Sequence, residues 1–161
     1  MLRKIGIVLF MTIALVGCSK ENDDNSNSMI VKENTIVTLV EHNEGTLISF
    51  EYHLKNSSNE FIGPFFINYV FYGDMIQQYL DRDEYSSYKI MGGPGIQLKP
   101  SETYQGGDNI EIIDVIAEPK QLQDEITNNN TIEIQIIDIN TEEIVESQWI
   151  NNFRYVNQIN K

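Results

Sequence analysis

From Asn34 onward the chain alternates apolar and polar residues with a period of two. In Leu47-Ile48-Ser49-Phe50-Glu51-Tyr52-His53-Leu54-Lys55, the residues Ile48, Phe50, Tyr52 and Leu54 fall on one side, and Ser49, Glu51, His53 and Lys55 on the other. That is the period of a strand with one buried face. Thr131-Ile132-Glu133-Ile134-Gln135-Ile136 repeats it, and the phase slips at Ile136-Ile137 before Ile139, which predicts a bulge or the end of pairing. Thr35 to Glu41, Phe65 to Tyr72, Asn109 to Val115 and Glu143 to Ile150 are rich in Ile, Val, Phe and Tyr, and Gly95 to Lys99 adds a short seventh candidate strand.

The intervening segments carry turn chemistry. His42-Asn43-Glu44-Gly45 predicts a hairpin turn, since Asn and Gly tolerate positive φ, and Asn56-Ser57-Ser58-Asn59-Glu60 a longer loop. Gly92-Gly93-Pro94-Gly95 excludes regular structure. Pro119 to Ile126 is the one stretch that predicts a helix: Pro119 suits a first turn, Leu122 and Ile126 are four apart, and Asn128-Asn129-Asn130 ends the run. Many short strands and one short helix predict an all-β fold, an antiparallel β-sandwich of about seven strands.

The N-terminus follows another logic. Arg3 and Lys4 precede an apolar run, Ile5 to Val16, that is too short to cross a ~30 Å hydrocarbon core and lacks an amphipathic period. Leu15-Val16-Gly17-Cys18 then resembles the bacterial lipobox, in which small residues precede a cysteine that is lipidated and becomes the first mature residue. A thiolate forms a stable thioether with a diacylglyceryl group where Ser or Ala cannot. The chain's single cysteine is thereby expected to be an anchor, not a disulfide partner or catalytic thiol. Several acyl chains, each burying ~0.8 kcal/mol per methylene, make such anchoring persistent.

Ser19 to Ser28 has no apolar residue, so it buries too little to offset its ordering entropy and is expected to be a tether. Its beginning, Ser19-Lys20-Glu21-Asn22-Asp23-Asp24, is similar to the acidic export signal of Bacteroidota surface lipoproteins, although a generic linker has the same composition. The expected organisation is a signal peptide over 1–17, a lipidated cysteine and tether over 18–33, and one domain over 34–161.

Within that domain, the strand Ile48 to Lys55, the loop Asn56 to Glu60, the aromatic strand after it and Gln97-Leu98-Lys99-Pro100-Ser101-Glu102 together resemble the immunoglobulin-like domains of small bacterial lipoproteins. In these a strand ending in an Asn/Ser loop is followed later by a Leu-x-Pro-Gly-Glu turn. A similar layout occurs in a small proteinase-inhibitor domain related to that of Bacillus. Ser101 stands where the pattern usually has Gly. The resemblance implies a fold and no activity, because sandwiches host many functions.

The formal charge of −13 over 161 residues opposes contact with phosphate backbones and anionic lipid faces, so nucleic acid is not an expected partner. Candidate chemistry is sparse. His42 lies in a turn and His53 on the solvent side of a strand, and neither has the spacing of a metal or triad motif. Gly92 to Gly95 places Pro94 where a phosphate cradle needs an N–H. Asp81, Asp83 and Glu84 are candidate oxygen ligands for Ca²⁺, but Arg82 sits among them and their spacing is not that of an EF-hand, so a solvated loop competes with a site. Glu142-Glu143 and Asp124-Glu125 read the same way.

The aromatic run Phe65 to Tyr72 carries the one candidate binding face. Alternation sends Phe65, Ile67, Tyr69 and Phe71 to one side and Phe66, Val70 and Tyr72 to the other. The second set is either buried, as in a central strand, or forms a contact patch for protein or carbohydrate if neither the Pro119 helix nor a loop covers it. Tyr79, Tyr85 and Tyr88 lie in the adjoining acidic stretch. The expected protein is therefore an extracytoplasmic lipoprotein, held to a bacterial membrane through Cys18 and exposed at the cell surface if exported. Its domain is expected to bind an envelope protein or glycan, with no enzymatic activity and no cofactor. The alternatives are an anchored carboxylate- or Ca²⁺-dependent hydrolase and a protease-inhibitor-like module.

Overall fold

The computed structural model describes residues 29–112 and 118–159. The expected signal peptide, Cys18, most of the expected tether and the end of the Asn109 to Val115 run lie outside them. The described residues form nine strands in two sheets. The first sheet has the order β6 (Thr103–Ile112), β2 (Gly45–Lys55), β1 (Ile36–His42), β9 (Phe153–Asn157). The second is built on β3 (Ile62–Phe71), which pairs with β7 (Ile132–Asp138) and through it with β8 (Ile144–Trp149). The other edge of β3 is shared by β5 (Ile96–Leu98) near its start and β4 (Glu84–Tyr85) near its end.

The apolar sets predicted by alternation meet between the sheets. Ile48, Phe50 and Leu54 from β2 and Phe65, Tyr69 and Phe71 from β3 are fully or almost fully buried. The Phe50 ring lies 4.5 Å from Tyr69 and 5.9 Å from Phe71, centroid to centroid, so the two sheets interlock through aromatic contacts. Each such side chain contributes about 1.5–3 kcal/mol of burial. The chain is thus an all-β sandwich. Its β1–β2 turn closes at His42 opposite Gly45, and the β7–β8 register shifts at Ile136/Ile137, where the alternation slips.

The elements outnumber the expected seven strands and one helix. Besides α3 (Pro119–Asn128), with Leu122 and Ile126 buried and a Glu118/Gln121 capping box, there are two more α-helices and a 3-10 turn over Lys32–Asn34. In α1 (Asp74–Leu80), Ile76, Tyr79 and Leu80 are buried at helical spacing, and α2 (Ser87–Met91) follows β4. Two turns flanked by acidic residues give too short a period to stand out in sequence. The additional strands are the two-residue β4 and β9, which runs parallel to β1 from Val37 opposite Phe153 to Glu41 opposite Asn157.

Two tertiary ties lie at the end of the sandwich where β2 finishes, here the proximal end. Met29–Val31 extends along β2: Ile30 faces Leu54, the Val31 N–H donates to the His53 carbonyl, and the Lys55 N–H donates to that of Met29. The Glu146 carboxylate on β8 accepts the N–H groups of Met29 (2.7 Å) and Ile30 (3.1 Å), and Ile30 is buried in the core. Packing therefore reaches back into the stretch expected to be tether. The second tie is Asn56, 1% exposed, whose Nδ2 donates to the carbonyls of Glu60, Leu98 and Lys99. It joins the Asn/Ser loop to the Lys99–Glu102 turn, in which the Glu102 N–H donates to the Lys99 carbonyl and Ser101 has φ 63°.

Candidate binding face

The outward face of the second sheet is organised in cross-strand rows. Phe66 on β3 stands opposite Ile137 on β7, Asn68 opposite Gln135, and Val70 opposite Glu133. On β8, Ile144, Ser147 and Trp149 continue the three rows in that order, and Glu84 on β4 flanks Val70. Residues facing one another across antiparallel strands share a face of the sheet. The face thus grades from an apolar row at the proximal end, through an amide and hydroxyl row, to a distal row holding Glu133 and Trp149. Tyr72, just beyond β3, reaches diagonally onto this last row.

The aromatic residues singled out in sequence have separate fates. Phe66 is buried: it stacks on Tyr88 of α2, centroids 4.8 Å apart and planes 12° apart. The cover comes from α2, whereas α3 packs against β9 and α1. Val70 is half-buried. Tyr72 is 53% exposed, with its ring 5.2 Å from that of Trp149 in an edge-to-face arrangement. Of the neighbouring tyrosines, Tyr79 is buried in α1 and Tyr85 stacks on Tyr69.

A directed hydrogen-bond relay runs beneath Tyr72. Its hydroxyl donates to Glu133 Oε2 at 2.9 Å, and Gln135 Nε2 donates to the same oxygen at 2.8 Å. Asn68 Nδ2 in turn donates to Gln135 Oε1 at 3.3 Å. The direction is fixed because the carboxylate only accepts. Burial by itself pushes the Glu133 carboxyl up, but hydrogen bonds from Ser147, Gln135 and Tyr72 outweigh it and hold the group below its usual range. The same bond to Glu133 raises the Tyr72 hydroxyl above the ordinary tyrosine range. Asn68 is 2% exposed, and its Oδ1 is buried without a hydrogen-bond partner.

On the far side of Tyr72 from Trp149 lies an open groove of about 350 Å³ lined by Val70, Tyr72, Gln77, Asp83 and Glu84. Of the candidate metal ligands, Asp81 and Asp83 line one surface groove together with Asp74 and Arg82. Asp81 caps α1 in the left-handed region at φ 51°, the Asp83 carbonyl accepts the Phe71 N–H, and Glu84 pairs with Lys89 at 3.2 Å. Among the described residues no three His, Cys, Asp or Glu side chains converge as a metal set. His42 accepts the Glu44 N–H in its turn, and the His53 carbonyl serves the Val31 strand.

Sequence reasoning did not single out Glu133, Gln135, Ser147 or Trp149. The available signal was the outward phase of the β7 alternation and the chain's one tryptophan at a strand end, but the pairing that brings them beside Tyr72 is a tertiary property.

No protein-family model matches this chain, and no curated protein matches it. Among solved structures it is similar to part of a calcium-binding mutant of Bacteroides uniformis beta-glucuronidase 2, with TM-score 0.47 and 13% identity over 73% of this chain. A second structure, Bacteroides uniformis beta-glucuronidase, gives TM-score 0.46 at 13% identity, again over 73% of this chain. This chain spans about 12% of the length of those proteins. Its β-rich fold resembles a domain of a bacterial glucuronidase.

Proposed function

We propose that this protein is an extracytoplasmic bacterial lipoprotein, anchored through Cys18, whose immunoglobulin-like domain is a binding module of the cell envelope. The anchoring half of the reading is supported by the lipobox-like Leu15 to Cys18 and by the polar stretch after it. The immunoglobulin-like half is supported by strand order, with β6-β2-β1 in one sheet and β3-β7-β8 in the other. That is the connectivity of strands E, B and A facing C, F and G in an immunoglobulin sandwich.

The observation that carries the binding role is the exposed Tyr72 set against Trp149 on the outward sheet face. A large aromatic residue left half in water beside a second one, with polar groups fixed around it, is the composition of a recognition surface. Register also places this surface at the distal end: Tyr72 follows the finish of β3, whereas Met29 pairs beside Lys55 at the opposite end. Ten residues of β3 separate the two, roughly 30 Å at strand rise. A domain held at Met29 presents Tyr72 away from its attachment.

Both halves have direct tests. Cys18→Ala should abolish labelling of the protein by a radioactive fatty acid and leave an uncleaved precursor. Persistent labelling would refute the anchor. Affinity capture from an envelope extract with the folded full chain should recover a component that a folded Tyr72→Ala/Trp149→Ala variant does not. Equal recovery by both forms would remove the binding role from this face.

A further inference from the structure

We infer that the Tyr72–Trp149 surface and its adjoining groove form a subsite for a neutral glycan. This deepens the binding-module reading and rests on it. Sugar rings present alternating strips of C–H and hydroxyl, so a site for them needs an exposed aromatic ring bordered by fixed side chains that both donate and accept. Tyr72 supplies the ring, and its edge-to-face contact with Trp149 holds it in place. Glu133 stands on one side of it, positioned by the buried Gln135, and Gln77, Asp83 and Glu84 stand in the groove on the other.

These polar groups are held in position. Glu133 is fixed by donors from three residues, and Gln135 is fixed at both ends, by Asn68 and Glu133. The relay starts at the Nδ2 of Asn68, a buried side chain whose Oδ1 has no hydrogen-bond partner among the described residues. The groove beside the ring is open to solvent and holds about 350 Å³.

The charge selects among glycans. Glu133 accepts from the Tyr72 hydroxyl, Asp83 and Glu84 line the groove beside it, Lys89 is the one ion-pair partner of these three among the described residues, and the chain carries −13 overall. Uronic acids and sulfated sugars are repelled, while hydroxyl pairs find acceptors.

The test is affinity electrophoresis of the full chain in mild detergent through gels cast with mannan, xylan, laminarin, starch or polygalacturonate. Retardation by at least one neutral polysaccharide, none by polygalacturonate, and a loss of at least tenfold in Tyr72→Ala with partial retention in Tyr72→Phe is the expected result. A Lys120→Ala control on the remote helix α3 should migrate as the parent. Retardation by polygalacturonate alone, or equal retardation of Tyr72→Ala, overturns the inference. If no polysaccharide retards the chain while capture from extract still depends on Tyr72, the glycan inference fails and the binding module stands. If capture fails too, both fall.

Discussion

The Nδ2 of Asn56 donates to the Lys99 carbonyl at 3.0 Å, tying together two segments 43 residues apart in sequence. The same nitrogen reaches Leu98 and Glu60, and Asn56 Oδ1 accepts the Ser58 N–H and hydroxyl. Replacing it strands several acceptors in a buried place. Asn56→Ala should destabilise the domain by about 2–3 kcal/mol, read as a fall in the urea midpoint at unchanged slope. A loss under 0.5 kcal/mol would show that water replaces the amide without cost.

Ser101 occupies the third position of the Lys99–Glu102 turn with φ 63°, after Pro100. Pro followed by positive φ is the signature of a type II turn, and a side chain there costs about 1–2 kcal/mol that glycine avoids. Glycine's larger unfolded-state entropy offsets part of the gain. Ser101→Gly should therefore raise stability by about 0.5–1 kcal/mol, seen as a higher melting temperature. A lower one would mean that the Ser101 side chain stabilises the turn.

Gly106 lies where β6 passes Tyr52: a Cβ built there would stand 2.8 Å from Tyr104 Cε1 and closer still to the Tyr52 hydroxyl. Tyr52 is buried and hydrogen-bonded to Tyr104, so it has little room to yield. Gly106→Ala should cost about 1–3 kcal/mol in thermal or chemical unfolding, and the paired substitution Gly106→Ala/Tyr52→Phe should recover part of it.

Glu133 has a depressed pKa when folded, so its hydrogen bonds stabilise the fold fully above the ordinary value of 4.5 and are lost as pH falls through the lower folded value. Glu133→Gln removes this dependence. The variant should be less stable at pH 7 by about 1 kcal/mol, a modest figure because the site is partly open to solvent, and the difference should shrink as pH drops below 4. Parallel stability curves at all pH values would exclude Glu133 as the acceptor of the relay.

The sandwich was legible because its strands are half-buried: β2 writes its inward set, Ile48 to Leu54, in strict alternation. α1 was not, since its three core residues, Ile76, Tyr79 and Leu80, span little more than one turn. β9 was missed because an edge strand beside β1 keeps Arg154 and Tyr155 exposed and buries little. For the binding face, Tyr72 could be found from the phase of β3 alone. Its companions come from β7 and β8, and no local pattern states which residue of one strand stands beside which of another. The choice between burial and exposure of Phe66 was open for a related reason: its cover, Tyr88, comes from a five-residue helix set by tertiary packing.

The pairing of Met29–Val31 beside the end of β2 also determines how the domain carries load. Its hydrogen bonds lie across the strand direction, and the Glu146 carboxylate adds two more from the opposite sheet. Tension applied to the chain before Met29, directed away from the distal face, runs along the strands and stretches these bonds together instead of peeling them one at a time. Shear of this kind resists force far better than unzipping, and it brings both sheets into the first element to bear strain.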